Sequence, residues 1–132
     1  MSGVVTPEAP IIGRMNVRVG NEWTHYSGEM VAGAMMIQLW GDCVSEVGIR
    51  REGHGGFLVG ATDLQFLHPV HTGDSLQIEV TLSKQGSRSR QFNCITYLEL
   101  SRYNGMKKSE GWNRFEPSLK VAEGILTVVM PK

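Results

Sequence analysis

Residues 31–49 read VAGAMMIQLWGDCVSEVGI, nineteen mostly apolar residues whose only formal charges are Asp42 and Glu46. On a helix, side chains four apart lie one turn above each other, so these carboxylates share a face. Gln38, Asp42, Ser45 and Glu46 fall within about a third of the circumference at roughly 100° per residue, the pattern of a solvated stripe. Val31, Met35, Leu39 and Ile49 project into the same sector, while Met36, Trp40, Cys43, Val44 and Val47 fill the opposite side. A helix apolar nearly all round is enclosed nearly all round, and acids in an enclosed wall are costly unless partnered or used. The pattern leaves two readings open: a solvated stripe, or one wall of a functional cavity.

The flanking chain sets the context of that helix. Residues 1–13 carry Pro7 and Pro10 with little periodicity and read as a flexible N-terminal arm. Residues 13–19 alternate as a first strand, and a loop with Trp23, His25, Tyr26 and Gly28 leads to the helix, expected from about Glu29 to Ile49 or Arg50. Gly53, Gly55 and Gly56 then turn the chain around His54. Strand-like runs follow at 57–67, 76–82, 90–100 and 125–130, the third with Phe92, Cys94, Thr96, Leu98 and Leu100 on one face. The polar stretch 102–118, with Gly105, Gly111 and Pro117, reads as a loop insert. One long helix after a first strand, then antiparallel strands, predicts a single α+β domain over 14–132 whose sheet wraps the helix. A lone sheet leaves its edges bare, which predicts a homodimer or higher homo-oligomer.

Composition excludes several functions. Thirteen basic and thirteen acidic side chains cancel, so no net field draws nucleic acid or an anionic membrane. No apolar run approaches the length of a membrane span, and MSGVVTPEAPIIG lacks the basic and long apolar regions of a signal peptide. Cys43 and Cys94 match no zinc or redox spacing; as buried free thiols they suit a reducing cytoplasm. His68 and His71 straddle a prolyl turn and His54 lies in a glycine loop, with no converging ligand set, so no metal is expected. The Gly-His-Gly-Gly turn at 53–56 lacks the strand–turn–helix setting of a dinucleotide loop.

This order of elements resembles the hotdog fold, a curved antiparallel sheet wrapped around one long central helix. Phe66-Leu67-His68-Pro69-Val70-His71-Thr72-Gly73-Asp74 is similar to the F-x-x-P-V-x-x-G-D turn of acyl-CoA-handling hotdog enzymes; Pro69 ends one strand and Gly73-Asp74 turns into the next. Gly86-Ser87-Arg88-Ser89-Arg90 resembles the G-x-x-S-R segment that lies near the nucleotide end of coenzyme A in hotdog proteins. That resemblance implies Arg88 and Arg90, with Lys84 nearby, as guanidinium and ammonium donors to phosphate oxygens. Most specifically, His25-Tyr26-Ser27-Gly28, then Val31-Ala32-Gly33-Ala34, then Gly41-Asp42 and Glu46 resemble the β-aminoacyl-CoA ammonia lyases acting on β-alanyl-CoA and 3-aminobutyryl-CoA. Their pattern is approximately H-Y-x-G-x-x-V-x-G-A-R followed by G-D-x-x-x-E. The likeness runs from about Val17 to Leu100. It departs at Met35, where that family carries arginine, which leaves the acyl group open.

The resemblance implies reversible elimination of ammonia from a 3-aminoacyl-CoA to give an enoyl-CoA. A thioester acidifies its α-proton, which a carboxylate can remove, and the enolate then needs donors near the thioester oxygen. Small residues Val31, Ala32, Gly33 and Ala34 at the helix start let a ligand approach backbone N–H groups. Asp42 and Glu46 are the expected acid–base pair, coupled by mutual repulsion, with His25 and Tyr26 orienting the thioester. No resident cofactor is implied, coenzyme A arriving as part of the substrate. A hotdog thioesterase using an acid on the same helix, and a non-catalytic acyl-CoA-binding domain, are the alternatives.

Overall fold

The computed structural model describes residues 11–23 and 29–132. Five antiparallel strands, β1 (Gly13–Arg18), β2 (Phe57–Phe66), β3 (Ser75–Gln85), β4 (Ser89–Asn104) and β5 (Lys107–Val129), form one sheet in the order β1-β3-β4-β5-β2. The helix α1 (Ala34–Glu52) packs on one face of it. Alternation along the strands chooses that face: Leu76, Ile78 and Val80 of β3, Phe92, Cys94, Thr96 and Leu98 of β4, and Ala122, Leu126 and Val128 of β5 are all buried. They meet Met36, Leu39, Trp40, Cys43, Val44 and Val47 of α1. Each such large apolar side chain contributes about 1.5–3 kcal/mol on removal from water.

Trp40 is fully enclosed, and its indole N–H donates to the Thr96 hydroxyl at 2.9 Å. The ring lies against the backbone of β5. A β-carbon at Gly124 would come within 2.8 Å of the indole and 2.6 Å of Leu64, so the helix approaches the sheet this closely only over glycine. Cys43 and Cys94 are free and buried, and burial first of all pushes their thiols up to about 11 and about 12 respectively. Neither is a thiolate near neutral pH. Among the described residues no helix is long and apolar enough to cross a membrane.

Three expectations need correction. The helix starts at Ala34, five residues later than expected, and runs on to Glu52. Glu29 takes a left-handed φ of 63°, Met30 pairs with His71, and the Val31 N–H donates to the Val70 carbonyl at 2.8 Å. Strand-like bonding therefore claims 30–31 before the helix can. At the other end Gly53, φ 77°, closes α1 with its N–H on Ile49 O, a left-handed cap that glycine adopts at little cost.

The stretch 102–118 is a β-hairpin and not a loop. β4 and β5 continue past the helix as a two-stranded ribbon, Tyr103 opposite Lys108 and Asn104 opposite Lys107, reversing at Gly105 with φ 65°. A ribbon with no core beneath it needs no apolar alternation, which is why its composition reads as loop. The third correction follows from the same pairing. Its register shifts between Leu98 and Leu100, leaving Leu100 exposed while Ser101 and Tyr103 turn inward.

Candidate active site at the start of the central helix

A cavity of about 350 Å³ opens beside the first turn of α1. Met30, Val31, Ala32, Gly33 and Met36 form its helix side. Phe66 and Leu67 close it from the end of β2, His68, Pro69 and Val70 from the following turn, and Val121 and Ala122 from β5. The lining is mainly apolar, as suits an acyl chain. Gly33 lets the backbone meet the Phe66 ring, which a β-carbon there would touch at 3.2 Å. The Met35 and Met36 N–H groups close on Ala32 O and Gly33 O. The N–H groups of Ala32, Gly33 and Ala34 find no acceptor among the described residues, and no side chain caps the helix. Unclaimed donors at the positive end of a helix dipole suit a developing oxyanion.

A buried polar cluster pins the rim. Asp74, fully enclosed, accepts the His71 backbone N–H at 2.8 Å and the Ser101 hydroxyl. Burial pushes its carboxyl up to about 6, opposed by those two hydrogen bonds and by Arg18. The His71 ring stacks on Tyr103, centroids 3.6 Å apart and planes 6° from parallel, and its Nδ1 is buried without a partner. Burial lowers the His71 pKa despite the opposing influence of Glu29. The Tyr103 hydroxyl donates to Glu29 at 3.1 Å, and the Thr72 N–H reaches the Glu29 carbonyl at 2.9 Å. The motif Pro69 to Asp74 thus fastens the chain entering α1, with Gly73 at φ 89° as its glycine-dependent turn.

The structure distributes the other expected residues unevenly. Val31, Ala32 and Gly33 line the cavity; Ala34 opens α1 beside them, exposed. Asp42 and Glu46 are exposed on the outer face of α1, and Glu46 is bonded to Arg50 at 2.9 Å. Within one protomer they form a solvated stripe. Asp42 stands nine residues beyond Gly33, about 13 Å along the helix. Cys43, Glu46, Val47 and Arg50 instead border a shallower groove against Ile12, Arg14 and Met15. His25 and Tyr26 lie outside the described residues.

Arg90 is not available for phosphate. Its guanidinium forks onto Glu52 at 2.7 and 2.8 Å and also donates to the Gly86 and Ser89 carbonyls, with the side chain only 8% exposed. The register of the β3–β4 turn aims it at the last residue of α1, which sequence spacing does not reveal. Arg88 remains exposed, its Nε bonded to Met130 O at 3.0 Å. His54 accepts the Gly56 N–H as a turn device, and His68 joins the cavity wall. Among the described residues no group of three or more His, Cys, Asp or Glu side chains converges.

No family model matches the chain. A 77-residue stretch, 58% of the chain, is 34% identical to 3-aminobutyryl-CoA ammonia lyase of Acetoanaerobium sticklandii, and the match spans 61% of that relative's length. Among solved structures, β-alanyl-CoA:ammonia lyase from Clostridium propionicum superposes with a TM-score of 0.82 at 20% identity, covering 90% of this chain and 84% of that one. A hexameric hotdog fold thioesterase of Campylobacter jejuni gives 0.70 at 11% identity, covering 89% and 81%. The helix laid on one antiparallel sheet is the hotdog fold, and within that fold the chain resembles the β-aminoacyl-CoA ammonia lyases.

Proposed function

We propose that the protein is a β-aminoacyl-CoA ammonia lyase, interconverting a 3-aminoacyl-CoA with the enoyl-CoA and ammonia. The observation that carries this reading is the 34% identity to 3-aminobutyryl-CoA ammonia lyase, joined to an apolar cavity beneath unclaimed N–H groups at the start of α1. The thioester oxygen points at the Ala32–Ala34 amides, which stabilise the enolate, and the acyl chain fills the cavity beside Phe66. A carboxylate removes the α-proton and a second group protonates the departing amine. Asp42 and Glu46 take these roles, with His25 and Tyr26 orienting the thioester. No resident cofactor is needed, and two buried free thiols agree with a reducing cytoplasm.

Because both acids stand away from the cavity of their own protomer, the working site joins two subunits. β2 is the outer strand of the sheet beside β5, and it exposes Phe57, Val59 and Phe66. An apolar edge strand of this kind pairs with its own copy about a two-fold axis, which carries one protomer's helix face toward the other's cavity.

Adding protein to crotonyl-CoA or acrylyl-CoA with ammonium should consume the enoyl absorbance. Asp42→Asn or Glu46→Gln should lower kcat by about 10²–10⁴-fold with little change in KM. If neither acceptor reacts with folded wild-type protein, the proposal fails. If both acid variants turn over normally, the carboxylates are a surface pair and their assignment fails. The thioesterase reading is favoured by the Campylobacter jejuni neighbour, and release of free CoA thiol without amine addition would replace the lyase by it.

A further inference from the structure

We propose that Arg18, Trp112 and Arg102 form an anion clamp at the rim of the active-site cavity that takes the phosphate-bearing end of the CoA thioester. This rests on the CoA reading above and gives its nucleotide end a different location from the one implied by the G-x-x-S-R segment. Trp112, half exposed on the hairpin, lies across the Gly73 turn, where a β-carbon would be 3.5 Å from the indole. The Arg18 guanidinium sits 5.1 Å from the centre of a Trp112 ring, and that of Arg102 sits 5.7 Å from one. Two cations are thus gathered on one indole, an arrangement that repels itself unless an anion joins it.

The pairing of neighbouring charges isolates this site. Arg14, Arg50, Arg90 and Arg114 each have a carboxylate partner, as do Lys108 and Lys120. Among the described residues Arg18 and Arg102 have none. Their hydrogen bonds go instead to carbonyls: Arg18 Nε to Gly73 O at 2.7 Å and Arg102 Nη2 to Glu110 O at 3.2 Å. Those bonds orient each guanidinium without neutralising it, and Arg102 Nε is buried with no acceptor at all. A phosphate supplies the missing acceptors in the fork geometry that arginine matches.

Position selects a thioester's phosphates over an unrelated anion. Gly73, which anchors Arg18, lies three residues beyond Val70 of the cavity wall, at most about 10 Å of chain. A ligand with its acyl end in the cavity therefore runs outward past this turn. Arg88 and Arg90 instead sit by Glu52 and Met130, at the far end of a nineteen-residue helix roughly 28 Å long.

Titration with CoA, followed by calorimetry on the full chain, tests the clamp independently of turnover. Arg18→Gln keeps a donor for Gly73 O and removes the charge; paired with Arg102→Gln it should raise the CoA dissociation constant at least tenfold and flatten its salt dependence. Thermal unfolding confirms that the variant is folded, and Trp112→Phe, which retains a packing ring, should weaken CoA binding less. Sodium pyrophosphate should compete with CoA on the wild type and not on the double variant. With a crotonyl N-acetylcysteamine thioester, which has no phosphate, the double variant should retain wild-type kcat/KM while its KM for crotonyl-CoA rises. Unchanged CoA affinity in the folded double variant overturns the clamp, as does a wild type that binds neither CoA nor pyrophosphate. If the protein binds CoA but adds no ammonia, the lyase reading fails and the clamp is still decided by the titration.

Discussion

At the scale of single residues the most consequential group is Asp74, a fully buried carboxyl that holds the turn at the cavity rim through His71 and Ser101. Burial raises its pKa from 3.8 to about 6. The folded state then holds the proton more tightly than the unfolded chain does. The contribution to stability is therefore full below about pH 4, falls as pH rises toward 6, and is flat above that, a loss of up to about 3 kcal/mol. Asp74→Asn keeps an oxygen for both donors and cannot ionise. The difference in unfolding free energy, variant minus wild type, should increase between pH 4 and 6 in urea titrations and then plateau; a flat difference would show an ordinary carboxyl. Subtraction also removes His71, whose lowered pKa acts in the opposite direction below pH 6.5. The turn itself was legible in Pro69 and Gly73-Asp74. The burial of its aspartate was not, since acids in turns are normally solvated.

At the scale of elements, the ion pair between the end of α1 and the start of β4 does work that the sequence pattern assigned elsewhere. Arg90 and Glu52 clamp the helix C-terminus to the sheet. Arg90→Ala should lower the thermal midpoint while leaving CoA affinity at the wild-type value. A stable variant with a raised CoA dissociation constant would restore Arg90 to the ligand. The hairpin at 102–118 shows the same limit in another form. Asn104-Gly105 is a hairpin signal in its own right, but the flanking residues are polar because the ribbon projects beyond the core. Hydrophobic periodicity registers strands that cover something, and this pair covers only the Gly73 turn.

At the scale of the whole molecule, one protomer holds a cavity, an oxyanion-binding helix start and a set of acids that do not meet. Phe57 is 73% exposed and Val59 54% exposed on the outer strand, a surface that soluble chains cover. Phe57→Asp with Val59→Asp should convert the oligomer to monomer in analytical ultracentrifugation and abolish turnover, with the circular dichroism of the fold retained. An active monomer would mean that each site is complete within its own chain. The hexameric state of the Campylobacter jejuni neighbour shows that this fold supports higher assemblies than a dimer.

The sequence by itself determined the class of fold, because its decisive signals are local. A nineteen-residue apolar run, period-two alternation in 76–82 and 90–98, and glycines at the turns each state their geometry within a few residues. The three small residues at the cavity wall were legible for the same reason, since Val31, Ala32 and Gly33 sit where the helix starts whatever packs around them. Only the tertiary structure decided the rest. The helix starts at Ala34 because Met30 and Val31 bond to residues forty positions away. Arg90 faces Glu52 because of strand register, and Arg18, Trp112 and Arg102 gather because a hairpin folds back over the Gly73 turn. Charges acquire their partners from distant segments, so which cation is spent on structure and which is left for a ligand is settled only when the chain closes.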